Sequence, residues 1–134
     1  MTVYVDSSAL TKKYVAEPDS GDARALLLGD LEWVTANHTY VEVRLALARR
    51  LAHENLSTAV ETFERDWDRM LVVPLSESVC RRAAEIGTRI GVRTLDALHL
   101  AAAERAGGTA NPIATFDVRL AEAARVLRFT VIGS

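Results

Sequence analysis

The chain has 134 residues, with 16 Lys and Arg against 18 Asp and Glu, which gives a formal net charge of −2 at pH 7. This length predicts one domain covering residues 1–134. The charge balance excludes a protein that holds nucleic acid by basic charge alone, although an acidic active site with a basic rim remains compatible with it.

Cysteine and histidine usage excludes two further classes. The single cysteine, Cys80, excludes an intrachain disulfide, and we expect it to be a small core residue. The sequence contains no pairs of Cys or His at the spacing of a structural zinc site. The first residues, MTVYVDSSAL, lack the basic and long apolar regions of a signal peptide, and no apolar run approaches the roughly 20 residues of a membrane span. We therefore expect a soluble, cytoplasmic protein.

Strands alternate with helices in the first half of the chain. The apolar periodicity and turn residues predict, in order, a strand at Thr2–Val5, a helix at Ser8–Val15, a helix at Asp22–Leu28, a strand at Trp33–Ala36, and helices at His38–His53 and Ser57–Met70. The long His38–His53 helix carries one apolar stripe of Val41, Leu45, Ala48 and Ala52.

The second half continues the same alternation. The predicted elements are a strand at Leu71–Leu75, a helix from Ser76 to about Gly91, a helix at Thr94–Ala106, a strand at Ile113–Phe116, a helix at Val118–Leu127 and a strand at Phe129–Ile132. The strands are short and continuously apolar, which is typical of a parallel sheet covered on both faces. The pattern predicts a three-layer α/β/α sandwich, whose functional residues lie at the carboxyl ends of the strands.

Four acidic residues lie where that fold would bring them together. Asp6 and Asp117 each follow a predicted strand directly, Asp96 is in the first turn of a helix, and Glu42 is early in the helix after the second strand. All four positions belong to the carboxyl edge of the sheet. No glycine-rich nucleotide-binding motif, P-loop or nucleophile elbow offers a competing site.

Each acid also has an ordinary structural interpretation. Asp6 and Asp117 could be helix N-caps, each worth about 1 kcal/mol. Asp96 is placed where the helix dipole favours negative charge, and Glu42 could lie on a solvated edge. The set of four at one edge is harder to explain in this way than any one member.

Clustered carboxylates repel one another and raise each other's pKa, and a hard divalent cation relieves that repulsion. Oxygen ligands without histidine or thiol favour Mg²⁺ or Mn²⁺ over zinc. Such a centre is suited to phosphodiester hydrolysis.

Four segments of the sequence resemble a PIN-domain protein, specifically a VapC-type ribonuclease toxin of a toxin–antitoxin pair. They are VYVDSSAL, YVEVRLALAR, RTLDALHLAAA and IATFDVRLAEAA, and the resemblance covers essentially the whole chain. It implies a Rossmann-like sheet of five parallel strands and a Mg²⁺- or Mn²⁺-dependent endoribonuclease. It also implies a homodimer, and an antitoxin partner whose C-terminal segment fills the active site.

The resemblance also implies roles for individual residues. Asp6, Glu42, Asp96 and Asp117 would form the catalytic acidic metal site, with Asp6 and Asp96 the surest ligands. Ser8 and Thr115 match the positions whose hydroxyls orient the carboxylates or bound water.

Other residues keep two interpretations. His99, three residues after Asp96, is either a satisfied core histidine, which we favour, or a partner of that carboxylate. Arg93 either contacts a phosphate or is a surface arginine. A second group either forms a basic rim for RNA or carries solvated surface charges, and it consists of Lys12, Lys13, Arg49 and Arg50.

Two other functions remain open. The chain could be a non-catalytic α/β interaction module whose acids are helix caps, or a PIN nuclease in RNA processing without an antitoxin.

Overall fold

The structure, a computed structural model, describes residues 1–16, 21 and 32–134. The helix predicted at Asp22–Leu28 lies outside the described residues. None of the described helices is both long and apolar enough to cross a membrane.

Eleven named elements follow one another along the described chain. They are β1 (Thr2–Val5), α1 (Ser7–Tyr14), β2 (Glu32–Ala36), α2 (Asn37–Arg50), α3 (His53–Trp67), β3 (Leu71–Val73), α4 (Glu77–Ile90), α5 (Thr94–Ala106), β4 (Ile113–Ala114), α6 (Val118–Val126) and β5 (Val131–Ile132). A short 3-10 turn at Gly108–Ala110 precedes β4.

The five strands form one sheet in the order β3-β2-β1-β4-β5, and every neighbouring pair is parallel. The predicted α/β architecture with a parallel five-stranded sheet is therefore confirmed. The strand β1 lies in the centre, and its register pairs Val5 with Ala114 of β4. This pairing places the residues that follow β1 and β4 side by side at the carboxyl edge.

Each face of the sheet carries its own apolar core. Along β1, Val3 and Val5 belong to the core that includes residues of α1, α2 and α3, whereas Tyr4 belongs to the core that includes residues of α4, α5 and α6. Successive side chains of a strand point to opposite faces, so a strand covered on both sides has no polar positions to spare. This explains why TVYV is apolar without alternation.

The second half of the chain follows the prediction closely because its helices carry strong end signals. Ser76 caps α4 through a hydrogen bond from the Val79 N–H to its hydroxyl, and Gly91 ends the helix with φ of 73°. A positive φ is easily adopted by glycine and strained for other residues. The predicted strands are longer than the observed ones, and β3 stops before Pro74, which has no N–H to donate.

The predicted helix His38–His53 is wrong at its end and in its buried face. The chain leaves the helical conformation at Leu51 and a separate helix begins at His53. The buried side chains of α2 are Thr39, Val43 and Leu47. The predicted apolar stripe of Val41, Leu45, Ala48 and Ala52 is instead exposed. Both faces repeat with the same helical period, so the period alone does not show which one packs inward.

Two smaller predictions also differ from the structure. The helix predicted at Ser57–Met70 begins four residues earlier, at His53, and ends at Trp67, although Phe63 and Met70 are buried as core residues. Cys80 is exposed rather than buried.

Candidate active site

Asp6 lies directly after β1 and is almost completely buried. The Ser8 hydroxyl lies 2.8 Å and 2.9 Å from its two carboxylate oxygens, and the Ala9 N–H donates to Oδ1 at 2.9 Å. The Thr115 hydroxyl donates to Oδ2 at 2.6 Å. Asp6 is thus the N-cap of α1, and its carboxylate is held in one orientation by three donors.

Thr115 reaches Asp6 because β1 and β4 are neighbouring parallel strands that end together. Its hydroxyl also accepts a hydrogen bond from the Asp117 N–H at 3.0 Å. The Phe116 N–H donates to the Ser8 hydroxyl at 2.9 Å. Ser8 and Thr115 therefore connect the residues that follow the two strands, and both contact the carboxylate of Asp6.

Asp117 caps α6, because its Oδ1 accepts hydrogen bonds from the N–H groups of Arg119 and Leu120. Asp6 and Asp117 are therefore both helix N-caps, as one of the two interpretations predicts. It does not exclude a second role, since a carboxylate has about four lone-pair sites and a capping bond uses only part of them.

Three of the four acids line one cavity of about 640 Å³, which we call the acidic cleft. They are Glu42, Asp96 and Asp117, and the cleft is also lined by Arg93, whose Nε lies 4.0 Å from Asp96 Oδ2. Asp6 is not among the lining residues, yet its charge raises the pKa of Asp96. The buried carboxylate of Asp6 therefore adds negative charge to the cleft without lining it.

Burial disfavours the charged forms of Asp6 and Asp96, and repulsion from neighbouring acids adds to this effect at Asp96. Burial raises the pKa of Asp6, and the charge of His99 with the three hydrogen-bond donors offsets this only in part. Burial is also the main cause that raises the pKa of Asp96, followed by the negative charge of Asp117. A cation in the cleft would remove this penalty.

Glu42 is held by His99, which the sequence analysis had not connected with it. The ring Nε2 of His99 lies 2.9 Å from Glu42 Oε1, and its Nδ1 lies 2.7 Å from the Tyr4 hydroxyl. An ionised carboxylate only accepts hydrogen bonds, so Nε2 of His99 carries a hydrogen and donates it to Glu42. His99 is a satisfied buried histidine, as predicted, but its carboxylate partner is Glu42 rather than Asp96.

His38 is a neighbour that sequence reasoning missed. It lies one helical turn before Glu42, with its Nε2 3.6 Å from Glu42 Oε1, and its ring stacks at 4.1 Å on that of His99. Burial, and then the charge of His99, lower the pKa of His38 to about 4, so it is neutral at pH 7. Burial raises the pKa of Glu42, but the hydrogen bond and charge of His99 outweigh it and the net shift is downward. The His38–Glu42 spacing of i, i+4 was the available signal.

A second cavity of about 520 Å³ adjoins the acidic cleft and shares Glu42, Leu95 and Asp117 with it. We call it the basic groove, because Lys12, Arg49 and Arg50 line it. The Lys12 ammonium lies 5.5 Å from the centre of the Phe116 ring, within the range of a cation–π contact. Three of the four predicted rim residues therefore lie beside the acids, whereas Lys13 pairs with Asp66 at 2.6 Å and does not line this groove.

The residues of the acidic cleft fit a hard divalent cation. Their carboxylates supply oxygen ligands, and the raised pKa of Asp96 shows that its charged form lacks a full counter-charge. Mg²⁺ keeps several of its waters, so the acids need not all touch the ion. Glu42, Asp96 and Asp117 line the cleft and would hold it. Asp6, which the resemblance makes one of the two surest ligands, is buried and does not line the cleft, and its role as a ligand stays a prediction.

Known proteins share both the sequence pattern and the fold. The PIN domain family model matches residues 3–126. Ribonuclease VapC35 of Mycobacterium tuberculosis is 36% identical over 136 residues, which cover 98% of this chain and 96% of that protein. The crystal structure of VapC20 of M. tuberculosis, a sarcin–ricin loop cleaving toxin, superposes with a TM-score of 0.75 at 21% identity, over 90% of this chain and 94% of that one. VapBC-5 of M. tuberculosis, a member of the VapBC family of toxin–antitoxin systems, gives a TM-score of 0.68 at 20% identity, over 99% and 98% of the two chains.

The hydrogen bond from Thr115 to Asp6 can be tested with an isosteric change. Thr115→Val removes the hydroxyl and leaves a buried carboxylate short of one donor, so the free energy of unfolding at pH 7 should fall by about 1–3 kcal/mol. Thr115→Ser keeps the hydroxyl and should retain most of the stability. Urea denaturation measures both variants, and equal losses for Val and Ser would show that packing rather than the hydrogen bond matters there.

The raised pKa of Asp96 predicts a pH dependence in metal-free protein. Between the raised value and the ordinary value of 3.8, the folded state binds a proton that the unfolded chain does not, so lowering the pH through this window stabilises the folded state. Asp96→Asn lacks this gain. In EDTA, wild type should therefore gain stability relative to Asp96→Asn as the pH falls from neutral toward the ordinary value of 3.8. Melting curves at matched pH would contradict the expectation if the difference stayed constant.

Proposed function

This chain belongs to the PIN-domain family, and we propose from that premise that it is a Mg²⁺- or Mn²⁺-dependent endoribonuclease, the toxin of a toxin–antitoxin pair. The observation that carries the proposal is the acidic cleft, where Glu42, Asp96 and Asp117 line one cavity with Asp6 beneath them. The relative named Ribonuclease VapC35, aligned over almost the whole chain, supports the same activity.

When bound, the metal would activate water for attack and neutralise charge on the scissile phosphate. The chain's own residues supply the rest. Ser8 and Thr115 fix the carboxylate of Asp6, and the N–H groups of Arg119 and Leu120 orient the carboxylate of Asp117. Glu42 stays ionised at pH 7 because His99 stabilises its charged form.

RNA would approach along the basic groove. Lys12, Arg49 and Arg50 line it next to the acids, so a chain whose phosphates contact these cations would pass over the acidic cleft. Arg93, exposed at the opposite wall, is placed to meet a phosphate at the cleft itself. The overall charge of −2 means that this attraction depends on local charge rather than on the whole molecule.

An antitoxin and a second copy of the chain are the proposed protein partners. The similarity to VapBC-5, from a family of toxin–antitoxin systems, supports the first. The exposed apolar stripe on α2 supports the second, because Val41 and Leu45 are each more than half exposed and lie one helical turn apart. We expect the protein to act in the cytoplasm, where its RNA substrate is found.

The two other functions make different demands. A non-catalytic module needs Asp6 and Asp117 only as caps, and it gives no reason for Asp96, which caps nothing, to share a cleft with Glu42 and Asp117. A PIN nuclease of RNA processing would keep the site but need no antitoxin. Co-purification with a small protein encoded by the neighbouring gene separates that function from a toxin.

Asp96→Asn separates chemistry from folding. The variant should lose RNA cleavage and most of the thermal stabilisation that Mg²⁺ gives wild type, yet be at least as stable as wild type in EDTA, because one repelling charge is gone. Asp68→Asn, the same change at an exposed position at the end of α3, is the matched control and should behave as wild type. Equal Mg²⁺ responses in all three proteins would refute a metal nuclease.

The dimer can be tested at the α2 stripe. Val41→Glu places a charge in the proposed apolar contact and should give a monomer, while wild type gives a dimer in light scattering. Val126→Glu, at an equally exposed valine on α6, is the control and should stay dimeric. A monomeric wild type at high protein concentration would remove the dimer from the proposal.

A further inference from the structure

Two histidines and a glutamate from two different helices meet beside the acidic cleft. His38 and Glu42 are one turn apart on α2, and His99 reaches them from α5. One ligand atom from each of the three lies within 4.8 Å of the other two. Among the residues that the structure describes, this is the only group of three His, Cys, Asp or Glu side chains whose donor atoms lie within that distance.

His38 is the member whose position has no other explanation. Its side chain is nine-tenths buried, and within the described part of the chain neither ring nitrogen has a hydrogen-bond partner of normal geometry. The backbone of Leu95 favours its charged form, but burial outweighs this. Buried polar atoms without partners are rare in folded proteins and call for a missing ligand, water or ion.

We propose that His38, Glu42 and His99 form a binding site for a borderline transition-metal ion such as Zn²⁺. Two imidazole nitrogens with one carboxylate oxygen are a donor set that favours such ions over Mg²⁺. Zn²⁺ bound to three protein ligands keeps a fourth position open for water. The site is separate in chemistry from the acidic cleft, although Glu42 belongs to both.

The spacing of the donor atoms is close to what the ion requires. Tetrahedral Zn²⁺ with bonds of about 2.0–2.1 Å separates its ligand atoms by about 3.3 Å. Glu42 Oε1 lies 2.9 Å from His99 Nε2 and 3.6 Å from His38 Nε2, on either side of that value. The two histidine nitrogens lie within 4.8 Å of each other, so side-chain rotations would bring the three donor atoms onto one ion.

Tyr4 completes the surroundings that a ligating histidine needs. When the ion takes Nε2 of His99, the ring hydrogen moves to Nδ1, which then donates to the Tyr4 hydroxyl oxygen that lies 2.7 Å away. Tyr4 in turn has the hydroxyls of Thr35 and Thr39 as partners. Such an outer hydrogen bond fixes the tautomer and orientation of the ligand.

Glu42 belongs both to the proposed transition-metal site and to the acidic cleft, so occupation of the first would affect the nuclease. An ion held by both histidines and Glu42 withdraws that carboxylate from the acidic cleft, so transition metal and Mg²⁺ would compete for one side chain. This consequence rests on the proposed function, whereas binding of the ion does not.

Metal binding is tested on the full, untagged chain with Co²⁺ as a coloured substitute for Zn²⁺. Wild type should bind one equivalent and develop the visible absorption bands of a tetrahedral site, and Zn²⁺ should displace it. His38→Ala should weaken binding at least tenfold, because it removes a ligand whose ring nitrogens make no hydrogen bond in the described structure. His38→Gln is a second variant that keeps a polar side chain of similar reach, and it should weaken binding likewise.

Two controls keep the result separate from the nuclease proposal. His53→Ala removes the remaining histidine, which is exposed at the start of α3, and should bind as wild type. Asp96→Asn should lose the response to Mg²⁺ while retaining Co²⁺ binding. No binding by wild type, equal binding after both His38 changes, or loss of Co²⁺ in Asp96→Asn would each overturn the site.

Discussion

The carboxylate of Asp6 is the interaction on which the rest of the site depends. It accepts a hydrogen bond from Thr115, which is 109 residues away in sequence, and others from Ser8 and Ala9 on its own helix. These bonds join the loop after β1 to the loop after β4 at the centre of the parallel sheet. The same carboxylate starts α1 and adds charge beneath the acidic cleft, so the fold and the electrostatics of the site share one buried group.

Much of the architecture could be predicted because the signals were local. The helix Thr94–Ala106 has the predicted bounds, and Ser76 and Gly91 marked both ends of α4 through capping chemistry that depends on nearby residues alone. The carboxyl-edge position of the acids followed from strand order, since parallel strands end at the same side. What failed depended on tertiary packing. The stretch Arg50–His53 contains no glycine or proline to announce the break between α2 and α3, and the exposed stripe of α2 has the same period as its buried face.

The missing part of the site shows the same limit. The four acids could be found from the sequence because each lies after a strand or near the start of a helix, which fixes its position at the carboxyl edge of the sheet. His38 is the second residue of α2 and His99 lies inside α5, and their meeting depends on how these two helices pack together. The sequence has no Cys or His pair at the spacing of a zinc site. Packing nevertheless brings two histidines and a glutamate together from two helices. Long-range pairing of this kind requires the tertiary structure.

Asp96 differs from the other acids because it caps no helix and has no histidine partner. Asp6 and Asp117 cap helices, and Glu42 has a histidine partner, so replacing any of them disturbs structure as well as charge. Asp96 contributes no cap, and Arg93 meets it at 4.0 Å near the surface. If the protein is toxic to its own cell, selection for surviving clones would yield inactivating mutations at all four acids. These mutations would differ in whether the protein still folds. Folded but harmless protein would come from changes at Asp96, whereas changes at Asp6 would also remove the N-cap of α1 and so lower the stability of the protein.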